Sequence, residues 1–274
     1  MLSLCALGAC SREAPRVSPE SRSTAEGAGQ RSQPRLIEQP SPVSRPSPVP
    51  PQVPQVSQAP TACGEAVPET DRAIALGAQP TTTTRDGRTE HTYREHAVFL
   101  AVTGNAPAPR ASADTSSLRV ELLGATTRRR GQPLGLRAEV RNGTSRGATV
   151  IRSNDGSFEH MREPFVDLYV QNTADQRVYR YTSVGGRCGM VNTLNQSDLV
   201  SVAAGATSPG PFSQWVSPLA EAKIPVAGRF RVWLVYRQCD WQRAQGMGGA
   251  PVVTKPGDLF EGQLASNAIE IDVR

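Results

Sequence analysis

Five cysteines, three histidines and one Asn/Asp turn are the residues of this 274-residue chain whose types could carry chemistry. His91 and His96 sit beside Glu90 and Glu95. Five residues apart, they share no helix face and fall on opposite faces of a strand. His160 is distant in sequence, and no His-Glu-x-x-His or Cys/His cluster accompanies any of the three, so surface histidines are expected and no metal site. Cys188 and His160 could form a thiol nucleophile with its base, but oxidation of the thiol would silence it. Asn154-Asp155-Gly156-Ser157 with Glu159 has part of a calcium loop's composition without its ligand spacing, and reads as a turn. Gly246-Met-Gly-Gly249 precedes no helix and reads as a loop, not a phosphate cradle. Neither a Gly-x-Ser-x-Gly elbow nor a Walker loop is present. The expectation is a chain without catalytic residues, cofactor or metal.

The remaining chemistry lies in the cysteines. The chain opens Met1-Leu-Ser-Leu-Cys-Ala-Leu-Gly-Ala-Cys10 and turns polar immediately afterwards. Leu7-Gly8-Ala9-Cys10 resembles a bacterial lipobox: an aliphatic residue, two small residues that let a peptidase reach the backbone, and a Cys whose thiol accepts a diacylglycerol. The resemblance covers four residues. It implies that Cys10 is lipidated, that residues 1–10 are a signal remnant, and that the protein is held in the bacterial envelope. Ser11 rather than Asp follows the Cys, which in Gram-negative lipoproteins implies the outer membrane. A secretory signal carries a basic n-region and about 7–15 apolar residues. Here no Lys or Arg precedes Cys10, so a natural start upstream of Met1 is expected.

In such an oxidising compartment disulfides persist. Cys63, Cys188 and Cys239 would then be available. Cys188 sits in the Gly185-Gly-Arg-Cys-Gly189 loop and Cys239 follows a strong strand, so a Cys188–Cys239 bridge is expected, with Cys63 pairing to either as the alternative and three reduced thiols as the other.

Composition divides the chain. All 14 aromatic residues lie at or after Tyr93, and 12 lie at or after Phe158. A segment lacking large apolar side chains cannot offset its chain entropy, so the packed core belongs to the second half. Residues 11–61 are expected to be a disordered Pro/Ser-rich linker. Residues 11–60 hold eleven prolines, which fix φ and remove N–H donors. Polyproline II at about 3.1 Å per residue would let fifty residues reach roughly 100 Å or more. The net charge of +5 divides as +2 over residues 11–60 and +3 over 61–274. Neither is a nucleic-acid footprint, and Arg128-Arg129-Arg130 before Gly131 reads as a solvated turn more readily than as a phosphate site. Without an apolar run of about 18 residues, a multi-pass membrane protein is excluded.

Residues 62–115 read as a loosely structured segment. Thr81-Thr-Thr-Thr-Arg-Asp86-Gly87-Arg-Thr89 carries a hairpin signal, and Tyr93–Val102 reads as a strand or short helix that could join the main domain's edge. From residue 116 to 274 the period-two alternation of half-buried strands recurs. It appears at Leu118, Val120 and Leu122, at Leu134 to Val140, at Phe230, Val232, Leu234 and Tyr236, and at Ile269, Ile271 and Val273. A hairpin is expected between Phe165–Val170 and Arg177–Tyr181, a short strand at Leu199–Val202, and one helical turn at Pro218–Lys223. The fold class is therefore all-β, an antiparallel sandwich. Trp233 shares a face with Arg231 and Arg237, which makes it a packing contact in preference to an exposed binding patch.

Val226-Ala-Gly228-Arg-Phe-Arg-Val-Trp-Leu-Val-Tyr-Arg237 resembles the penultimate strand of bacterial immunoglobulin-like domains. Glu261-Gly-Gln-Leu-Ala-Ser-Asn267-Ala-Ile-Glu-Ile-Asp-Val273 resembles their closing strand, and Glu139-Val-Arg-Asn142 the end of their second. The resemblance covers about 118–274 and implies a fold before it implies any function. The function expected from it is a membrane-anchored, non-catalytic binding or structural module. Its partner would be an envelope protein or a glycan, met through loops around 183–198 and 238–258, and not a nucleic acid. A proteinase-inhibitor-like sandwich and an enzyme without a recognisable motif are the alternatives.

Overall fold

The computed structural model describes residues 63, 68–95, 97–110, 117–153, 157–158, 160–183, 193–209, 218–245 and 253–274. All lie in one compact unit, Val53–Arg274; the second unit, Met1–Gln52, lies outside the described residues, as do Cys10 and the linker.

Among the described residues the regular structure is nearly all β-strand. In order these are β1 (Thr70–Ala75), β2 (Thr81–Arg85), β3 (Arg88–Thr92), β4 (Ala97–Val102), β5 (Leu118–Leu123), β6 (Thr127–Arg128), β7 (Arg137–Asn142) and β8 (Ala148–Ile151). They continue with β9 (Phe165–Asn172), β10 (Val178–Ser183), β11 (Leu199–Val202), β12 (Thr207–Pro209), β13 (Gly228–Gln238), β14 (Gly262–Ala265) and β15 (Ile269–Val273). Two single helical turns, α1 (Pro218–Glu221) and α2 (Trp241–Ala244), and a 3-10 turn at Gln196–Asp198 punctuate them.

The large sheet runs β1-β4-β10-β9-β13-β15-β6, with β14 beside the second half of β13. β13 pairs with β9 along one side, from Phe230↔Asn172 to Arg237↔Phe165. Its other side is shared by β15 at the start and β14 at the end. A smaller sheet, β12-β7-β5, lies against it, with the β11-β8 pair alongside. The core is the layer between them. Val166, Leu168, Val170, Phe230, Val232, Leu234 and Tyr236 from the large sheet meet Leu118, Val120, Leu122, Ala138 and Val140 from the small one. Two packed faces of alternating apolar residues define an antiparallel β-sandwich.

The Asp86-Gly87 turn closes the β2–β3 hairpin with both residues at positive φ, 51° and 74°. That is the backbone a two-residue hairpin turn requires, and Asp and Gly tolerate it. The segment 62–115 holds four strands where one or two were expected, and β1 and β4 form the edge of the large sheet. Phe99 and Ala101 of β4 enter the main core.

The outer face of the large sheet is also covered. Thr103 donates its N–H to Glu69 O, and Arg110 donates its N–H to Ser266 O. The segment between them crosses the sheet and packs Ala106 against Tyr169, Trp233 and Val235. Trp233 stacks on Tyr169 and donates Nε1–H to Pro107 O at 2.9 Å. This is the packing role expected of it.

Candidate functional site

A buried group of titratable side chains sits on this outer face, where β9 and β10 are paired. Asp167 alternates outward from β9, two residues before Tyr169. Arg180 lies across from Tyr169 on β10. His160 precedes β9 and approaches through a positive φ of 56°. Its Nε2 lies 2.7 Å from Asp167 Oδ1, and Arg180 Nη1 lies 3.8 Å from the same oxygen. Asp167 and Arg180 are 5% and 8% exposed, so each charge depends on the other. A buried pair of this kind holds together because removing one partner strands the other. Tyr169 is fully buried, and burial, with Asp167 adding to it, pushes its hydroxyl far above the ordinary phenol range. It stays neutral.

Among the described residues this arrangement supplies two members of a general-base triad and not the third; Cys188, the thiol weighed as a partner of His160, lies outside them. No hydroxyl or thiol among the described residues is hydrogen-bonded to His160. Its ring packs against Phe165, with centroids 5.2 Å apart. Phe165 in turn carries the guanidinium groups of Arg237 and Arg243 at 5.2 and 4.7 Å from its centroid. The cluster orders the β9–β13 end of the sheet.

A second polar node lies at that end. Glu163 is buried, and Oε2 accepts the N–H groups of Cys239 and Asp240, each at 2.6 Å. Burial raises its carboxyl above the usual range, opposed by those two N–H donors; nearby Asp240 raises it further and Arg243 lowers it. Asp240 then caps α2, with Oδ1 accepting from Gln242 N–H and Arg243 N–H. Arg162, fully buried, donates Nε–H to Ala244 O at 2.8 Å. Cys239 itself is bonded to Cys63, with the two Cα atoms 5.4 Å apart.

That bond corrects the expected pairing. Cys239 is joined to Cys63, the alternative partner, and not to Cys188, which lies outside the described residues. A Cα separation of 5.4 Å is ordinary for a disulfide, and 176 residues of sequence separation hide it from any reading of local spacing.

A polar cleft of about 470 Å³ opens between β1 and β3, with Asp71, Arg72, Glu90 and His91 among threonines. Asp71 is already turned back onto Ala73 N–H, and His91 Nδ1 lies 3.1 Å from Thr82 Oγ1. Among the described residues no cluster of three or more His, Cys, Asp or Glu could hold a metal ion. His96, Asn154–Gly156, Glu159 and Gly246–Gly249 lie outside the described residues, as do 184–192 and 246–252 of the two candidate loops.

The chain matches no protein-family model and no curated protein. A solved structure described as AvmM, which catalyses macrocyclization in alchivemycin A biosynthesis, aligns over 70% of this chain and 96% of its own. The identity is 8% and the TM-score 0.24, a likeness too slight to bear on fold or activity.

Proposed function

We propose that the protein is an envelope lipoprotein, acylated at Cys10, whose Pro-rich tether presents an immunoglobulin-like, non-catalytic binding or structural domain. The observation that carries this reading is the Cys63–Cys239 disulfide. Such bonds form and persist in exported proteins and are rare in the cytosol of mesophiles. It lies immediately after the Pro-rich stretch and fixes the entry of the folded domain. The polar clusters support the non-catalytic part: Asp167, Arg180 and Glu163 are each engaged in holding neighbouring elements.

The test is the non-reduced intact mass of the protein taken from its native membrane fraction. A mature chain beginning at Cys10, heavier by its acyl chains and lighter by two hydrogens for the bridge, is the expected result. A Cys10→Ser chain should leave the membrane fraction. An unprocessed, fully reduced soluble chain would sink the proposal.

A further inference from the structure

The two ends of the sandwich differ in charge. At the end where β13 begins, backbone bonds gather several turns. Arg130 N–H donates to Arg274 O, Arg274 N–H to Arg128 O, and Gly131 N–H to Ile224 O. Pro133 bridges to Lys223, and Thr173 N–H donates to Arg229 O. These contacts bring Arg128, Arg129, Arg130, Arg177, Lys223, Arg229 and Arg274 together around β6 and the start of β13, with Asp175, Glu221 and Asp272 among them; farther along the same end, Glu69, Asp71 and Arg72 lie at the start of β1. Among the described residues the cluster around β6 and the β13 start has an excess of four positive charges, where residues 61–274 as a whole have an excess of three, and the β1 side of the same end has an excess of one negative charge. Asp272 is engaged by Arg274 at 2.9 Å, and Arg128 donates to the carbonyls of Leu134 and Thr127. Arg129, Arg130, Arg177, Lys223 and Arg229 are exposed and have no carboxylate within ion-pairing distance among the described residues.

We propose that this basic end is a docking surface for an anionic phospholipid bilayer. Clusters of four to eight Lys/Arg bind anionic lipid, each residue contributing about fivefold in affinity. Arginine's fork suits phosphate oxygens. A protein partner fits less well, because protein interfaces centre on apolar anchors. The exposed large apolar residue among those described, Met161, precedes β9 at the other end. Cys63 also marks that other end, roughly 35 Å away by the length of β13 at about 3.3 Å per residue. Some fifty residues at about 3.1 Å each exceed that distance, which allows one bilayer to hold the acyl anchor and receive the basic end. The choice of a bilayer over other polyanions rests on the anchoring reading; the charge cluster does not.

The experiment uses the full chain carrying Cys10→Ser, so that no acyl chain contributes. Binding is measured to vesicles of phosphatidylcholine alone and of phosphatidylcholine with phosphatidylglycerol. Binding to the anionic vesicles only, weakening as salt shortens the screening length below about 10 Å, is expected. Arg129→Gln/Arg130→Gln/Lys223→Gln should weaken it about a hundredfold. Arg85→Gln/Arg88→Gln, in the exposed β2–β3 hairpin, should leave it unchanged, and both variants should melt like the parent. Equal binding to both vesicles, no binding, an unaffected triple variant, or binding to a phosphorylated glycan but not to vesicles would each overturn the proposal. Failure here would leave the mass measurement on Cys10 untouched.

Discussion

The side chain of Asn267 holds both backbone groups of Leu122, 145 residues away: Oδ1 accepts the N–H at 2.8 Å and Nδ2 donates to the C=O at 3.1 Å. A side-chain amide thus stands in for a strand residue and joins β5 of the small sheet to the loop between β14 and β15. Beside it, Ser266 Oγ accepts Leu234 N–H and donates to Asn267 O. Asn267→Ala leaves two backbone groups of a buried residue without partners. A loss of about 2 kcal/mol in unfolding free energy is expected by denaturant titration. Asn267→Asp, which keeps the acceptor and loses the donor, should fall between.

Asp167 and Arg180 should behave as a unit. Asp167→Ala leaves a buried guanidinium uncompensated and should cost about 3 kcal/mol. Asp167→Leu combined with Arg180→Met removes both charges and should recover most of that loss. A double-mutant cycle by chemical denaturation measures the coupling; additive effects would show that the two charges are independently solvated.

Glu163 should give the domain an acid-side gain. Its folded-state pKa is raised, so between its unfolded and folded values the native state binds more protons than the unfolded chain. Stability from this group therefore falls as pH rises through that window and returns as pH falls. Glu163→Gln keeps an acceptor near Cys239 and Asp240 without the charge. Melting temperatures between pH 4 and pH 7 should show a flatter profile for the variant. An unchanged profile would exonerate Glu163.

The Cys63–Cys239 bond closes a very long loop. In the chain-entropy account a loop of this length gives about 5 kcal/mol as an upper limit, and measured values are typically 2–4. Cys63→Ser should lower stability within that range, and Cys188→Ser should not change it. Equal losses in the two variants would mean that Cys188 shares the pairing.

Where one face was buried and the other solvated, the fold was legible. Leu118, Val120 and Leu122 alternate with Arg119 and Glu121, and β5 was read from them. The turn at Asp86-Gly87 was legible because its backbone geometry selects the residues: both sit at positive φ. β8 was not read, because Ala148-Thr-Val-Ile151 is short and apolar without alternation. The outer face of β9 and β13 was the larger omission. Asp167 and Arg180 are of the charged types that strand alternation assigns to solvent, yet both are buried in the folded chain. The covering segment around Pro107 is proline-rich and carries no strand signal of its own. The basic end was visible only as Arg128-Arg129-Arg130; Arg177, Lys223, Arg229 and Arg274 reach it through hydrogen bonds between distant residues.

The disulfide also decides how the domain bears a pull. Force arriving along the chain before Cys63 meets a covalent junction to Cys239 at the end of β13. Without that junction it would pass to β1, an edge strand that can be peeled from β4 one hydrogen bond at a time. β13 is paired along both sides and must be sheared against β9, β14 and β15 together. The bridge thus converts an attachment that would unzip into one that holds in shear.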